Sequence, residues 1–227
     1  MLISTSTMID LHTHSLLSDG ALVPAELVRR ALVKGYTAIA ITDHADSSNL
    51  DFIVPRVVRA AAELSGCWPI TVVPGIEITH APPSMISRMV KQARELGARL
   101  VVVHGETIVE PVMPGTNRAA IMAGADILSH PGLISRADAA LARKKGVCLE
   151  VSARKGHSLS NGHVARMALD TGARLVVNTD AHEPGDLISM DFARKVLEAA
   201  GLDKKDVDKA LHNSRELVEK VTGGEQS

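Results

Sequence analysis

Short apolar runs rich in β-branched residues alternate along the chain with longer amphipathic segments. The short runs predict seven strands, over residues 9–11, 38–42, 71–73 continued by 75–78, 100–103, 126–129, 147–151 and 175–178. Most of these runs are continuously apolar, which is typical of parallel strands that are buried on both faces.

The amphipathic segments predict helices over residues 25–34, 82–96, 135–145, 161–171, 189–200 and 204–221. Five of them end at a glycine, a common helix stop. Repeated strand–helix units predict either a closed (β/α) barrel or an open, doubly wound parallel sheet. No linker, low-complexity tract or repeat divides the chain, so we predict one domain over residues 1–227, with 1–7 and 223–227 expected to be flexible.

Polar, chemically active residues follow every predicted strand. They are, in chain order, His12 and His14; Asp43 and His44; Glu77 and His80; His104 and Glu106; His130; Ser152, Arg154, Lys155 and His157; and Asp180 and His182. Barrels and doubly wound sheets both place functional loops at the carboxyl ends of their strands. The pattern therefore predicts one site at that rim.

Two pairs of these residues have a spacing that suits a metal ion. His12 and His14 are two residues apart, as are Asp180 and His182, and residues i and i+2 of a strand point to the same face. Histidine with carboxylates and no cysteine favours Zn²⁺, Mn²⁺ or iron. Nine candidate ligands are too many for one ion, and three ions that share a bridging carboxylate would use them economically: His12, His14, Asp19, His44, Glu77, His104, His130, Asp180 and His182.

Composition narrows the choice of partner and compartment. Ten histidines stand against four aromatic residues, and the formal net charge is -1. Few stacking platforms and no basic excess argue against binding of long nucleic acids. No apolar run reaches the roughly 18 residues of a membrane span, and no signal peptide is recognisable. Two cysteines in unlike contexts favour a reducing, cytoplasmic location.

The motifs together resemble the PHP (polymerase and histidinol phosphatase) superfamily. The matching segments, in family order, are Asp10-Leu11-His12-Thr13-His14 with Ser18-Asp19-Gly20, Thr42-Asp43-His44, Gly75-Ile76-Glu77, His104, Ser129-His130-Pro131-Gly132 and Asn178-Thr179-Asp180-Ala181-His182. The resemblance implies a distorted (β/α)7, TIM-like barrel with two or three divalent ions at its mouth.

The same resemblance implies a role for each ligand. His12, His14, Glu77 and Asp180 would bind a first ion, Glu77, His104 and His130 a second, and Asp19, His44 and His182 a third. Glu77 and Asp180 would hold the activated water, and a metal-bound hydroxide would attack phosphorus in line. Asp19 is the ligand at which family members vary.

Cations near the rim are candidates for binding substrate phosphate. Arg154 and Lys155 follow the sixth strand, and Arg118 is a weaker candidate. His157 is a candidate for substrate contact or proton transfer. The segment 105–118 is long for a βα loop and is expected to cover one side of the mouth. We expect Asp43 to cap the turn after the second strand or to support a metal ligand, and not to bind metal itself. His80 is equally compatible with a surface-loop role and with substrate contact, and Glu106 with supporting a ligand or with catalysis.

Three functions follow from these features. The first is a histidinol-phosphatase-like phosphomonoesterase that hydrolyses a small phosphorylated metabolite with two or three divalent ions. The second is a phosphodiesterase or nuclease acting on nucleotides or short nucleic-acid ends. The third is a non-catalytic module that binds metal or phosphate. The sequence predicts no particular oligomeric state.

Overall fold

The computed structural model describes residues 7–223, which form a nearly closed barrel of parallel strands surrounded by helices. Its strands are β1 (Met8–Asp10), β2 (Tyr36–Ile41), β3 (His44–Ala45), β4 (Thr71–Ile78), β5 (Leu100–His104), β6 (Ile127–Ser129), β7 (Cys148–Ser152) and β8 (Leu175–Asn178). Seven strands pair in the order β1-β2-β4-β5-β6-β7-β8. A parallel bridge between Thr13 and Ala181 joins the two ends of this sheet. The predicted distorted (β/α)7 barrel is therefore confirmed, and the open sheet is excluded.

The two-residue strand β3 lies outside this order and pairs only with β4. Its pairing sets His44 directly beside Glu77 in the register. The backbone pairing of β3 with β4 by itself brings these two candidate ligands side by side.

Eight α-helices connect or follow the strands of the described chain. They are α1 (Pro24–Val33), α2 (Leu50–Cys67), α3 (Pro83–Glu95), α4 (Thr116–Ala123), α5 (Arg136–Lys145), α6 (Asn161–Thr171), α7 (Met190–Ala199) and α8 (Lys204–Thr222). A 3₁₀ turn over His157–Ser160 precedes α6. None of these helices combines the length and the apolar character that crossing a membrane requires.

Two helices were absent from the sequence prediction. α2 carries Pro55 inside the helix, and an internal proline normally signals a break. The helix forms because its apolar face, which includes Ile53 and Val57, is buried and packs on β4. α4 begins within the predicted loop 105–118, which therefore ends at Gly115.

The core has two layers. A small inner cluster fills the barrel with side chains such as Leu11, Val102 and Val176, and α8 contributes Leu217 and Val221 to it. A larger cluster lies between the outer faces of the strands and the surrounding helices. The continuously apolar strands thus bury both faces, as their sequences predict. The predicted flexibility of residues 1–6 and 224–227 concerns positions outside the described chain.

Two glycines let the loop after β5 lie directly on the loop after β6. A Cβ atom on Gly105 would lie 2.2 Å from the Ser129 carbonyl oxygen, and one on Gly132 would lie 1.8 Å from the Glu106 carbonyl oxygen. Gly132 also has a φ of 59°, in the left-handed region. The close approach of these two backbones draws the loop over residues 105–115 towards the barrel mouth.

We therefore expect Gly132→Ala to destabilise the protein by about 3 kcal/mol or more. The added methyl group would overlap the Glu106 carbonyl, and the alanine would have to adopt a disfavoured, positive φ. Gly146→Ala is the matched control, since Gly146 has a φ of 74° but nothing within 4 Å of an added Cβ. That control should lose only about 1–2 kcal/mol. Chemical denaturation measures both. Equal losses would show that the loop contact is unimportant for stability.

Candidate metal centre

The residues after β1 turn their imidazoles into the barrel mouth. Both His12 and His14 are buried. The Nε2 atom of His12 lies 3.2 Å from Glu77 Oε1, and that of His14 lies 3.0 Å from Asp180 Oδ1. The Nδ1 atom of His12 lies 2.8 Å from Glu150 Oε2 on β7. This contact sets the direction of the ring and leaves Nε2 facing the other ligands.

Glu77, at the end of β4, lies at the middle of the cluster and is fully buried. Its Oε2 atom lies 2.6 Å from His44 Nδ1, and its Oε1 atom lies 3.7 Å from His130 Nε2. Ser129 donates a hydrogen bond to Oε1 at 2.8 Å. One carboxylate thus faces imidazoles from several strands, which is the position a bridging ligand requires.

A second group lies on the side of the mouth nearest β1 and β8. It consists of His14, Asp19, His44 and His182, whose candidate ligand atoms all lie within 4.8 Å of one another. Asp19 Oδ1 lies 3.3 Å from His182 Nε2 and 3.6 Å from His44 Nε2. The carboxylate at the variable family position therefore points at the two histidines with which it was grouped.

The opposite side of the mouth gathers His104, His130 and His157, also within 4.8 Å of one another at their nitrogens. His130 and His157 stack with ring centroids 4.0 Å apart. Two further groups join this side to the centre: His12 with Glu77 and His130, and His12 with His14 and Asp180. The structure brings all nine predicted ligands and His157 to one mouth.

Three non-glycine residues of the described chain have positive φ angles, and all three lie at this mouth. They are His80 (51°), His130 (26°) and Asp180 (53°). Such conformations cost about 1–3 kcal/mol each and concentrate at functional sites. The fold thus tolerates strain at the points where these side chains turn into the cluster.

Several buried nitrogens of the cluster lack hydrogen-bond partners. Among the described residues these include His12 Nε2, both ring nitrogens of His14, and Nδ1 of His104 and His130, together with Asp180 Oδ1. A buried polar atom without a partner costs about 1–3 kcal/mol. So many at one place fit the binding of cations, which would accept their lone pairs.

The pKa shifts within the cluster have opposite consequences: those of His14 and His130 favour metal binding, whereas those of His12 and Asp180 favour protonation. Burial lowers the pKa of His14 and His130 well below the usual range, so both rings are neutral and offer lone pairs at neutral pH. Burial raises the pKa of Asp180 to about 7. Burial opposes the charge on His12, but Glu150, Glu77 and Asp180 together outweigh it and raise its pKa. A divalent cation would favour the ionised carboxylates.

Arg154 is the predicted phosphate-binding residue that reaches the mouth. Its Nη1 atom donates a hydrogen bond to the Asp180 carbonyl oxygen at 3.0 Å. The Arg154 side chain lines a cavity of about 280 Å³. Lys155 is exposed and outside this lining. Arg118 lies on α4 and donates to Asp138 at 2.9 Å, so the structure does not bring it to the cavity.

The full lining of that cavity is Asp19, His44, Thr79, His80, His104, Glu110, Arg154, His157, Asp180 and His182. A larger cavity of about 570 Å³ lies at the amino ends of β2 and β4, around Trp68. Its lining contains no histidine, carboxylate or cysteine. The candidate metal ligands that line a cavity are therefore at the smaller one.

Asp43, which was expected to have a structural role, and Glu106, which the sequence left undecided, both brace loops at the mouth. Asp43 accepts hydrogen bonds from the backbone and hydroxyl groups of Ser15 and Ser18, so it braces the loop after β1. Glu106 accepts from the backbone N–H groups of Gly115 and Asn117 at the start of α4. Neither side chain lines the cavity.

Sequence reasoning missed two carboxylates. Glu150 lies inside β7, buried, and contacts His12, the His130 backbone and Asn178. Its signal was a single acid within an apolar strand, the same signal that Glu77 gives in the strand over residues 75–78. Glu110 lies on the 105–115 loop, and its Oε2 atom is 3.1 Å from both His80 Nε2 and His104 Nε2. No local spacing could have connected it to them.

Comparison with known proteins gives three findings. The PHP domain model matches residues 10–109. An uncharacterized protein of Methanocaldococcus jannaschii is 46% identical over 215 residues, covering 93% of this chain and 99% of that protein. A probable phosphatase of Shewanella sp. (strain ANA-3) is 29% identical over 236 residues, covering 91% and 87% of the two chains.

Among solved structures, a chain in the cryo-EM structure of archaeal ribonuclease P with mature tRNA has a TM-score of 0.74 at 16% identity. The match covers 97% of this chain and 94% of that chain, and it shows a shared fold. With the barrel, the motifs and the family match in agreement, the protein belongs to the PHP domain family.

Proposed function

We propose that the protein is a metal-dependent phosphomonoesterase that hydrolyses a small phosphorylated metabolite. The observation that carries the proposal is the convergence of six histidines and three carboxylates on one barrel mouth. Five of these residues, together with Arg154, line the cavity at that mouth. Bound divalent ions would activate a water and neutralise phosphate charge. The named relative that is a probable phosphatase supports the same chemistry.

The proposed ligands divide into three sets around Glu77. His12, His14, Glu77 and Asp180 would bind one ion, Glu77, His104 and His130 another, and Asp19, His44 and His182 a third. The second of these sets shares Glu77 with the first, which suits its central position. The donor set contains no thiolate and fits Zn²⁺, Mn²⁺ or iron.

Charge within the mouth favours a phosphate ligand. Three divalent ions bring six positive charges. The predicted carboxylates Glu77, Asp180 and Asp19 bring three negative charges, and Glu110 and Glu150 add two more. The balance is one positive charge before the Arg154 guanidinium is counted. A phosphate dianion is therefore attracted to the loaded site even though the whole chain carries a net charge of -1.

Cavity size favours a small substrate. Its volume of about 280 Å³ is close to the lower limit of about 300 Å³ for ligand pockets. No phenylalanine, tyrosine or tryptophan belongs to its lining, so it lacks the large aromatic side chains on which nucleic-acid bases commonly stack. A phosphomonoester with a compact leaving group suits these walls better than a polynucleotide.

A panel of phosphate esters tests the proposal. Each compound would be offered as the monoester and as a matched diester to protein loaded with Mn²⁺, Zn²⁺ or Fe²⁺. We expect release of inorganic phosphate from at least one small monoester and slower cleavage of its diester. Preferential diester cleavage would favour the phosphodiesterase alternative. Binding of phosphorylated compounds without turnover under any metal would favour a non-catalytic module.

Arg154 offers a separate test of phosphate binding. We expect Arg154→Ala to raise KM for the monoester about 10- to 100-fold, because a charge-assisted hydrogen bond contributes about 1.5–3 kcal/mol. Bound metal should stay at the wild-type amount, since no proposed ligand is removed. Arg118→Ala is the matched control and should leave KM unchanged. An unaltered KM for Arg154→Ala would remove this residue from the substrate site.

A further inference from the structure

The loop over residues 105–115 brings two side chains, Thr107 and Glu110, to the candidate metal centre, and neither is among the nine predicted ligands. Thr107 Oγ1 lies 2.8 Å from His157 Nδ1, and both residues are buried. Glu110 Oε2 lies 3.1 Å from His104 Nε2, and Glu110 Oε1 lies 3.4 Å from His157 Nε2. The loop therefore approaches one end of the centre with both a hydroxyl and a carboxylate.

The orientation of His157 matches that of a metal-binding histidine. Histidine ligands almost always use one ring nitrogen for the metal and hydrogen-bond the other to a neighbouring group. Thr107 engages Nδ1 of His157, just as Glu150 engages Nδ1 of His12. The Nε2 atom of His157 is consequently directed towards the cluster, 3.7 Å from Asp180 Oδ2.

The distances between donor atoms also suit a shared ion. Ligands about 2.0–2.1 Å from a metal lie about 3.0–3.4 Å from one another at adjacent positions. Glu110 meets His104 and His157 at distances within this range. The nitrogens of His104, His130 and His157 lie within 4.8 Å of one another. Glu110 thus adds a carboxylate to a side of the mouth that already holds these three imidazoles.

The arrangement depends on how three loops meet. Glu110 comes from the loop after β5, His130 from the loop after β6, and His157 from the 3₁₀ turn after β7. Gly105 and Gly132 permit the close contact between the first two loops. The extra donors therefore occupy positions that the packing of the fold determines.

We propose that Glu110 and His157 bind the metal ion held by His104 and His130, adding two ligands to the nine that the motifs predict. This inference rests on the proposed metal-dependent function. With these additions, the ion on the β5–β7 side has donors from Glu77, His104, His130, Glu110 and His157. The 105–115 loop thereby joins the metal centre and closes that side of the mouth.

Metal binding by purified, metal-free full-length variants tests the proposal. His157→Asn keeps a polar group near Thr107 but removes the Nε2 donor, and Glu110→Gln preserves shape but removes charge. His212→Asn is the matched control, because His212 is exposed on α8 and pairs with Glu216. Co²⁺ would be titrated into each protein, with its visible absorption recorded and the bound metal per chain measured after competition with a chelator.

We expect each of the two site variants to bind one Co²⁺ ion at least tenfold more weakly than wild type, with a changed visible spectrum. The double variant should retain about one ion fewer per chain, and His212→Asn should match wild type. Unfolding curves of the metal-free proteins establish that the variants are folded. If His157→Asn fails to fold, Glu110→Gln decides alone, since Glu110 is half-exposed on a loop.

Wild-type affinity and spectrum in both site variants would overturn the proposal. If only turnover fell, His157 would be a proton-transfer group with no part in metal binding. Absence of Co²⁺ binding by the wild-type protein would instead contradict the proposed function itself. These outcomes separate failure of the extra ligands from failure of the metal centre.

Discussion

Replacing Glu77 by glutamine is expected to remove most of the bound metal and to lower kcat/KM for a phosphomonoester at least about a thousandfold. The carboxylate lies between His12, His44 and His130, so it contacts histidines on both sides of the mouth. A glutamine keeps the shape but carries no charge and has only one oxygen. The affinities for the two ions that share this ligand would therefore fall together.

The magnitude follows from the role of the ions. Polarisation of a phosphate and activation of water each contribute several kcal/mol, and about 4 kcal/mol corresponds to a thousandfold change in rate. His12 and His44 hold the pKa of Glu77 well below the usual range against the effect of burial, so the carboxylate is ionised at neutral pH. The variant should stay folded because the side-chain volume is unchanged.

The measurement combines elemental analysis with steady-state kinetics on the same preparations. Glu95→Gln, a change of the same kind at an exposed position on α3, is the control and should bind metal and turn over as the wild type does. Near-normal metal content in Glu77→Gln would contradict the bridging role. Normal metal with lost activity would place Glu77 in substrate chemistry instead.

Removal of the metal is expected to lower the melting temperature by about 10 °C and to abolish phosphate release. An ion present at 1,000 times its Kd stabilises the native state by about 4 kcal/mol, provided that it does not bind the unfolded chain. For a domain of this length, 1 kcal/mol corresponds to about 2–4 °C. The buried nitrogens without hydrogen-bond partners explain why the metal-free state is the less stable one.

Thermal unfolding with and without a chelator measures this effect, and added Mn²⁺ or Zn²⁺ should restore both stability and activity. Glu77→Gln provides an internal control, because a variant that binds little metal should respond little to the chelator. Identical melting of chelated and loaded wild-type protein would show that metal binding contributes nothing to the native state.

Much of the fold could be predicted because parallel barrels carry strong local signals. The seven strands of the main sheet are continuously apolar runs, and most helices end at a glycine. α2 was not predicted: it contains Pro55, a residue that disfavours a helix interior, and burial of the apolar face of α2 outweighs that penalty. The start of α4 was missed because Glu106, nine residues before Gly115 in sequence, accepts from its first backbone N–H groups.

Part of the candidate site could likewise be predicted from the sequence, and part could not. Motifs at strand ends identified nine donors that the structure assembles at one mouth, because all parallel strands present their carboxyl ends to the same rim. Arg118 was a candidate by position in the chain alone, and the structure places it on the outer side with Asp138. Glu150 and Glu110 were missed because neither belongs to one of those motifs.

The sequence by itself determined the alternation of strands and helices, the choice of histidine and carboxylate as donors, and the rim on which they lie. These properties depend on residues close together in the chain, whose periodicity and spacing are visible in one dimension. Only the tertiary structure decided that His44 pairs in register with Glu77 and that Thr107, Glu110 and His157 meet beside His104. Those contacts depend on barrel closure and on close packing between loops, which involve residues far apart in sequence and leave no local pattern.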